Sequence, residues 1–534
     1  MLLKFLIQGK RAVYLVFILT NIVLAARNLD SKPFWIDESI AVMPAKNLLP
    51  YQTFDTNFMP WQIKHNLWDP ATPLYRVTLG VFVRIFGFSE NSTRAFSLCF
   101  AVLTLCVVFA FLYRLRGFDF ALRASALVAV LPAFIGISSE ARHYSFTMFW
   151  IFFSAYAFLR FIQFQSPRTF SFLLLTLVGA MLSHVMAYLV VPVIVFFLFM
   201  NSVELKTFLF RFWPVTILCI FSVYLLIFLD TLPFMHVVNC SNRNFGCERG
   251  YGYYFGTVWK VLEGLRIQYE TFVPPNANAF SFMGVFGLAA KQLTIAHLAM
   301  LSGGLYLSRR FKQGGSFWKQ EGLLLALLLF PLAILSVREY KAHKYFLIYI
   351  MPVIGYVMAN GFDLLRNGHA HFRQISEIFF FFLIAASLHL NMSEAIISPR
   401  AYFIDMEKKI LVKRQDNFER MDAQVRYFRE NARPQDAIVA TMDDASLSHY
   451  LGRFVFSFLN NRHDDRFFLD ILAEAERNKT RVYFINMVES NNHCLTTEPE
   501  PRSIDCRKKY PAFFSRCTSG TDKICIEINP QDLP

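Results

Sequence analysis

The sequence predicts an all-α polytopic membrane protein with about eleven transmembrane helices, followed by a small extracytoplasmic α/β domain at the C-terminus. Of the 534 residues, 55% are hydrophobic and 17% are charged, whereas about a quarter are charged in soluble proteins. The apolar residues lie in runs of about 15–20, the length that crosses a hydrocarbon core of ~30 Å as a helix. The short loops between these runs hold most of the basic residues, so the positive-inside rule explains the net charge of +14. No nucleic-acid partner is expected.

The first predicted span covers residues 12–26 and follows Lys10 and Arg11, which places the N-terminus in the cytoplasm. A cleaved signal peptide is the alternative, but no small-residue cleavage site follows. A long outer loop, residues 27–92, comes next. Its apolar stretch 72–87 is short and is interrupted by arginines, so we interpret it as an interfacial helix and not as a crossing.

The remaining spans complete a transmembrane domain over residues 1–391. They are predicted near residues 93–113, 122–138, 144–164, 169–183, 185–200, 212–230, 286–307, 322–337, 345–360 and 375–391. This path puts basic loops inside and places two large segments outside, a second outer loop (231–286) and the C-terminal domain (392–534).

Cysteine usage agrees with this topology. Three cysteines, Cys99, Cys106 and Cys219, lie in apolar runs and are expected to pack there. The others are in predicted outer segments, in even numbers: Cys240 and Cys247 in the second outer loop, and Cys494, Cys506, Cys517 and Cys525 in the tail. Even numbers favour disulfides in an oxidising compartment, and a zinc site is less favoured because the sequence has no CxxC or HxxxH pair.

The tail is soluble in character. Residues 411–430 have a charged, helical pattern, and residues 437–441 and 482–484 are typical of short buried strands. This alternation predicts the small α/β domain.

The first outer loop has the pattern most suggestive of chemistry. Residues 33–39 read Pro-Phe-Trp-Ile-Asp-Glu-Ser, with the adjacent carboxylates Asp37 and Glu38 framed by aromatic residues near the outer membrane surface. Such a carboxylate can remove a proton from an acceptor hydroxyl or amine during group transfer. A pair of solvated loop acids is the alternative interpretation.

This segment resembles the Asp-Glu loop of the C-type glycosyltransferase superfamily, in particular the protein-mannosyltransferase-like members and the lipid A aminoarabinose transferase. The resemblance continues through Asp-Pro-Ala-Thr-Pro-Leu-Tyr at 69–75, through 86–94 and through Ser-Glu-Ala-Arg-His-Tyr at 139–144. It covers about residues 11–188, weakens towards 352 and is absent in the tail. Ala71 and Thr72 stand where family members often have His and Pro, so a role carried by that His is absent here unless His65 or Asp69 substitutes for it.

The resemblance implies a many-helix fold with a cavity at the outer face. There a polyprenyl- or dolichyl-phosphate sugar, hexosyl or pentosyl, would be transferred to a glycan, lipid or protein acceptor by a single inverting displacement. Asp37 would be the general base, and Glu38 would orient the acceptor or its neighbours. The candidates for lining the cavity are His65, Asp69, Tyr75, Glu140 and His184.

The leaving phosphate needs cationic partners. Two predicted outer clusters supply them, Arg142 with His143, and Lys341 and Lys344 with Tyr345, the latter similar to a basic-Tyr motif of the family. The alternative is that these side chains reach towards lipid headgroups.

No cofactor is predicted, and no metal is assigned; whether Asp37, Glu38 and His65 gather a divalent ion is left open. The rival functions are a transporter or flippase for a lipid-linked or anionic solute and a noncatalytic envelope assembly protein. Large asymmetric outer loops and charges at the ends of spans favour the enzyme over the transporter. A bacterial chain would lie in the inner membrane with its site facing the periplasm, and a eukaryotic one in the endoplasmic reticulum.

Overall fold

The structure, a computed structural model, describes part of the chain. The residues described are 10–27, 29, 38, 41–42, 45, 73–184, 187, 190, 193–194, 197, 322–324, 326–327, 351–366, 402–405, 410–413, 415–440, 447, 450–451, 455–457, 465–485, 493–495, 503–505, 511–518 and 525–528. The predicted spans 212–230, 286–307 and 375–391 and the second outer loop lie outside the described residues.

Eight helices form the described part of the predicted transmembrane domain. They are α1 (Lys10–Arg27), α2 (Pro73–Phe86), α3 (Glu90–Arg116), α4 (Phe118–Ala129), α5 (Pro132–Ser138), α6 (Tyr144–Phe164), α7 (Pro167–Ser183) and α8 (Met351–Arg366). Among the described residues, α3 and α6 are long and apolar enough to cross a membrane, and α7 is a shorter apolar helix.

Local sequence explains where these helices begin and end. The Ser89 hydroxyl caps α3 by accepting the Ser92 backbone N–H, and the Ser92 hydroxyl in turn accepts the Ser89 backbone N–H. Ser166 caps α7 in the same way with Thr169. Gly117 has φ +84, which allows the chain to turn from α3 directly into α4.

The predicted span 122–138 consists of two helices, α4 and α5. The chain is extended at Leu131 (φ −63, ψ 124), and Pro132 occupies the first position of α5. Proline has no backbone N–H to donate and fits the first helical turn, so it begins a new helix where the sequence predicts an uninterrupted one.

Helix α2 coincides with the stretch predicted to be interfacial. Its 14 residues span about 21 Å, which is shorter than the hydrocarbon core of ~30 Å.

The helices pack into one apolar core. Helix α3 packs on α4 and α6, α6 packs on α7, and α4 packs on α1 and α8. Helix α8 approaches α4 closely at Gly355, where an added Cβ would lie 2.4 Å from Val128 and 3.0 Å from the Ala124 carbonyl oxygen. Small residues at such contacts are typical of helix packing in membranes.

Cys99 and Cys106 are free thiols on the exposed face of α3, so the expectation that they pack in the core is wrong. A helix that is apolar on all sides gives no sequence signal for the face it buries.

Polar contacts connect the helices at one end of this core. Arg123 on α4 pairs with Asp363 on α8, the Arg116 Nη2 atom lies 3.4 Å from the Asn360 Oδ1 atom, and Arg11 Nε donates to Asp119 over 2.6 Å. The opposite end, where Glu38 meets the start of α3, is called the Glu38 end below.

The tail contains strands and helices in alternation. Its elements are β1 (Tyr402–Asp405), β2 (Ile410–Lys413), α9 (Gln415–Asn431), β3 (Ala437–Ala440), β4 (Phe456–Ser457), α10 (Asp465–Arg477), β5 (Val482–Ile485), β6 (His493–Leu495), β7 (Ser503–Asp505), α11 (Pro511–Thr518) and β8 (Cys525–Ile528). Four strands form a parallel sheet in the order β4-β3-β5-β8, while β1 pairs with β2 and β6 with β7 in antiparallel fashion. The described elements from β1 to β8 are called the C-terminal α/β segment.

The two strands predicted in the tail are present, as β3 and β5, and all their residues are buried. The predicted helix 411–430 begins later, at Gln415, because Ile410–Lys413 pairs with β1 as a strand. The apolar Ile-Leu-Val sequence favours a strand at that point. Cys525 on β8 is disulfide-bonded; the pairings of the tail cysteines stay a prediction.

Candidate active site

The described residues cover part of the predicted site. Glu38, Tyr75, Glu140, Arg142, His143 and His184 are described, whereas Asp37, His65, Asp69, Lys341, Lys344 and Tyr345 lie outside the described residues.

Glu38 forms a completely buried ion pair with Arg94 of α3. Both side chains have 0% exposure. Arg94 Nε donates to Glu38 Oε1 and Arg94 Nη2 donates to Oε2, each over 3.1 Å. This is the two-pronged geometry in which guanidinium and carboxylate bind most strongly.

Two backbone groups complete the arrangement. Glu38 Oε1 also accepts the Ala141 backbone N–H over 2.7 Å, and Arg94 Nη1 donates to the Leu29 carbonyl oxygen over 2.8 Å. The pair therefore connects the chain after α1, the first turns of α3 and the turn between α5 and α6.

Local structure presents each partner of Glu38. The cap at Ser89 begins α3 so that Arg94 lies in its second turn. In the turn after α5, the Arg142 N–H donates to the Glu140 carbonyl over 2.7 Å, and Ser97 of α3 donates to the Arg142 carbonyl over 3.3 Å. This tight turn leaves the Ala141 N–H for Glu38.

Both Glu38 oxygens are therefore engaged by groups of the protein itself. Direct contact between Glu38 and an acceptor stays a prediction.

A second group of polar side chains lies on the other side of Ala141. The Arg142 guanidinium lies over the Tyr144 ring at 4.6 Å, and the rings of His143 and His184 stack at 4.2 Å with an angle of 8° between them. Tyr75 of α2 meets the His143 ring edge-on at 6.2 Å. Tyr75, Arg142, His143 and His184, which the sequence predicts for one cavity, therefore gather at the Glu38 end.

Both histidines lie between helices and are uncharged near neutral pH. Burial lowers the pKa of His143 well below its ordinary value, and the neighbouring His184, Arg142 and Arg76 lower it further. Burial, followed by the charge of Arg142, lowers the pKa of His184 to about 3. A neutral imidazole donates one N–H, so the positive charge of this group comes from arginine.

Arg76 and Arg94 are the site residues that the sequence analysis missed. Arg76 is 3% exposed and lies close enough to lower the pKa of His143. In the sequence analysis Arg76, next to Tyr75, serves only as evidence against a membrane crossing. The signal for a site role is that this arginine follows the Pro-Leu-Tyr segment directly and lies in an otherwise apolar stretch.

An apolar cluster supports these polar groups. It contains Val42, Ala45, Tyr75, Leu79, Val83, Phe96, Ala141 and Phe146, all buried. This set, called the site cluster below, joins Val42 and Ala45 to α2, α3 and α6. Glu140 is half-buried at its edge, and a direct role for Glu140 stays a prediction.

Among the described residues, no group of three or more His, Cys, Asp or Glu side chains could hold a metal ion. Asp37 and His65, which the sequence analysis considered as ligands, are not among them.

The chain is similar to known proteins in sequence and in fold. Residues 70–227 match the model of a family described as dolichyl-phosphate-mannose-protein mannosyltransferase. The chain is similar in structure to the archaeal oligosaccharyltransferase AglB from Archaeoglobus fulgidus, solved with an inhibitory peptide and a dolichol-phosphate. That match has a TM-score of 0.52 and 13% identity, and it covers 89% of this chain and 69% of that chain.

Two further matches are ArnT from Cupriavidus metallidurans and a second structure of the Archaeoglobus oligosaccharyltransferase. The apo form of ArnT has a TM-score of 0.49, with 11% identity over 84% of this chain and 86% of that chain. The oligosaccharyltransferase in complex with zinc and sulfate has a TM-score of 0.50, with 14% identity over 83% of this chain and 62% of that chain. A comparison with curated proteins gives no match.

The predicted resemblance to the C-type glycosyltransferase superfamily is confirmed by the family match and by the AglB fold. At these identities the structural likeness concerns the fold, which is that of a helical membrane protein.

Proposed function

We propose that this chain is a membrane glycosyltransferase that moves a sugar from a polyprenyl- or dolichyl-phosphate carrier to a glycan, lipid or protein acceptor. The reaction takes place at the extracytoplasmic face, which is the periplasm for a bacterial inner-membrane protein and the lumen for one of the endoplasmic reticulum. The observation that carries the proposal is the hydrogen bond between Glu38 and the Ala141 N–H.

This hydrogen bond brings two chemical functions together. In the sequence Asp37 precedes Glu38 and Arg142 follows Ala141, so each proposed functional residue is next in the chain to one partner of this bond. Glycosyl transfer needs a base on the acceptor side of the sugar and a cation on the phosphate side. In this proposal Asp37 is the base and Arg142 is the cation.

The proposed reaction is a single displacement with inversion. The acceptor oxygen or nitrogen forms a bond to the anomeric carbon, while the bond between that carbon and the phosphate oxygen breaks. The electron pair stays on the lipid phosphate, where Arg142 and Arg76 stabilise the added negative charge, and Asp37 takes the acceptor proton.

Partial burial strengthens this electrostatic contribution. The half-buried Arg142 guanidinium lies over the Tyr144 ring and near the stacked rings of His143 and His184, where charges interact more strongly than in open water. Lys341, Lys344 and Tyr345 are proposed to add to the phosphate site from the chain before α8.

The relatives support the class of donor. The matching family is described by dolichyl-phosphate-mannose, and the AglB structure was solved with a dolichol-phosphate. A lipid phosphate therefore suits this fold.

The test is donor turnover by the purified full-length protein with a panel of synthetic polyprenyl-phosphate sugars. We expect the wild type to transfer or hydrolyse at least one sugar, and Asp37→Asn to lower the rate by about 10²–10⁴-fold while donor binding persists. Asp119→Asn is the matched control, because Asp119 is an exposed carboxylate at the opposite end and should leave the rate unchanged.

The outcomes separate the alternatives. Binding without turnover in the wild type would favour a transporter or an assembly protein. Full activity in Asp37→Asn would show that another group is the base.

A further inference from the structure

Tyr450, which lies between β3 and β4, contacts the candidate active site. Its hydroxyl donates to Glu90 Oε1 over 3.2 Å, between residues 360 positions apart in the chain. Glu90 is the first residue of α3, and Arg94 lies one turn further along the same helix. Tyr450 therefore contacts α3, the helix whose Arg94 binds Glu38.

The Tyr450 ring packs against two apolar cores at once. One is the core of the C-terminal α/β segment, which includes Phe428 and Val455, and the other is the site cluster, which includes Tyr75 and Ala141. A side chain shared between two cores fixes their relative position.

The backbone of Tyr450 is held as well. Arg429, in the last turns of α9, donates from Nη2 to the Tyr450 carbonyl over 2.7 Å. Helix α9 leads directly into the central strand β3, so the position of Tyr450 is set by the fold of the segment.

We propose that Tyr450 fastens the C-terminal α/β segment to the Glu38 end, so that this segment forms one wall of the acceptor-binding site. Tyr450 is a positioning residue in this proposal, which rests on the proposed function. The donor is attached to a lipid and enters from the membrane. The wall would serve an acceptor that comes from the aqueous side, where Tyr450 packs on the site cluster.

The first measurement is steady-state transfer by the full-length protein, with acceptor and donor varied separately. For Tyr450→Ala we expect the acceptor KM to rise roughly tenfold, about 1.4 kcal/mol, while the donor KM and acceptor-independent donor hydrolysis stay unchanged. Tyr450→Phe keeps the ring and should show a smaller rise. Tyr427→Phe is the matched control, because Tyr427 is a half-buried tyrosine of the same segment that packs against its own core.

The second measurement is amide hydrogen exchange, which does not depend on activity. Tyr450→Ala should speed exchange in peptides that contain Tyr450 and in the first turn of α3, and should leave β3 and β5 protected. If the whole segment loses protection in Tyr450→Ala, the test rests on Tyr450→Phe, which keeps the packed ring and removes only the hydrogen bond to Glu90. Faster exchange in the first turn of α3 of that variant would support the proposal.

These results separate the two proposals. The proposal for Tyr450 would be wrong if Tyr450→Ala left both the acceptor KM and the hydrogen exchange unchanged. The proposed function would still hold in that case if Asp37→Asn were inactive. A wild type without turnover would remove the proposed function, and the exchange experiment would still show whether Tyr450 holds the segment in place.

Discussion

Replacing Glu38 by glutamine tests whether the buried ion pair organises the site. The change keeps the shape of the side chain and removes its charge, so the Arg94 guanidinium loses this ion pair at 0% exposure. Removing one partner of a buried pair costs about 3–5 kcal/mol. The Ala141 N–H and the two Arg94 donors would also share one remaining acceptor oxygen.

The assay is thermal unfolding of the purified protein in detergent, with donor turnover measured in parallel. We expect Glu38→Gln to lower the unfolding midpoint by several degrees and to reduce kcat more than donor affinity, because the loop that contains Asp37 shifts. Combining it with Arg94→Met removes both charges and should recover part of the stability but not the activity. Asp119→Asn breaks an exposed ion pair and is the control.

Two results would refute the reasoning. Glu38→Gln could unfold at the temperature of the Asp119→Asn control, which would mean that the pair contributes no more than an exposed one. Alternatively, Glu38→Gln and Arg94→Met could add their losses in the double variant, which would mean that the two side chains act independently.

Three further predictions concern the surroundings of the site and the opposite end of the core. Burial lowers the pKa of His184 to about 3, so the unfolded state binds more protons below about pH 6.5. Stability should be full above that pH and fall as the pH is lowered towards 3, and His184→Phe should flatten this slope in unfolding midpoints measured across the range. Arg142→Gln should weaken the equilibrium binding of polyprenyl phosphate about tenfold or more, whereas an unchanged Kd would remove Arg142 from the phosphate site. Asp363→Asn leaves the buried Arg123 without its paired charge and should cost about 2–3 kcal/mol, less than for a fully buried pair because Asp363 is one-third exposed; Asp119→Asn should cost under about 1 kcal/mol, and equal midpoints would contradict the difference in burial.

Local sequence predicts where the site carboxylates lie in the chain, but not which groups they bind. The sequence predicts that Asp37 and Glu38 lie in an active-site loop, but adjacent carboxylates look alike in a sequence. The bond partners of Glu38 are 56 and 103 positions away, and tertiary packing alone shows that both of its oxygens are engaged. Arg94 belongs to the motif that was recognised, yet nothing in the local pattern gives it a role.

A charged residue in an apolar stretch does not show from the sequence alone whether it is buried in the folded chain. Arg76 interrupts the segment that forms α2, and hydropathy treats such a residue only as an obstacle to insertion. In the folded chain Arg76 is buried near His143. Burial of a charge depends on groups from other helices, which no window along the sequence contains.

Regular elements were predicted more accurately than site contacts. Helices α6 and α7 begin within two residues of their predicted spans, and β3 and β5 lie where short apolar runs predicted strands. The errors occur where a single residue overrides a pattern, as Pro132 does by beginning α5, or where a neighbouring strand decides, as β1 does for residues 410–413.

The burial of Arg94 has a consequence for how the protein is assembled in the membrane. When α3 is released into the lipid, an unpaired arginine in its second turn would be costly, and pairing with Glu38 removes that cost. The carboxylate is 56 positions earlier in the chain, so it is synthesised before α3. We therefore expect Glu38 to act as an early partner for α3, and a defect at Glu38 should appear as poor membrane integration before it appears as lost catalysis.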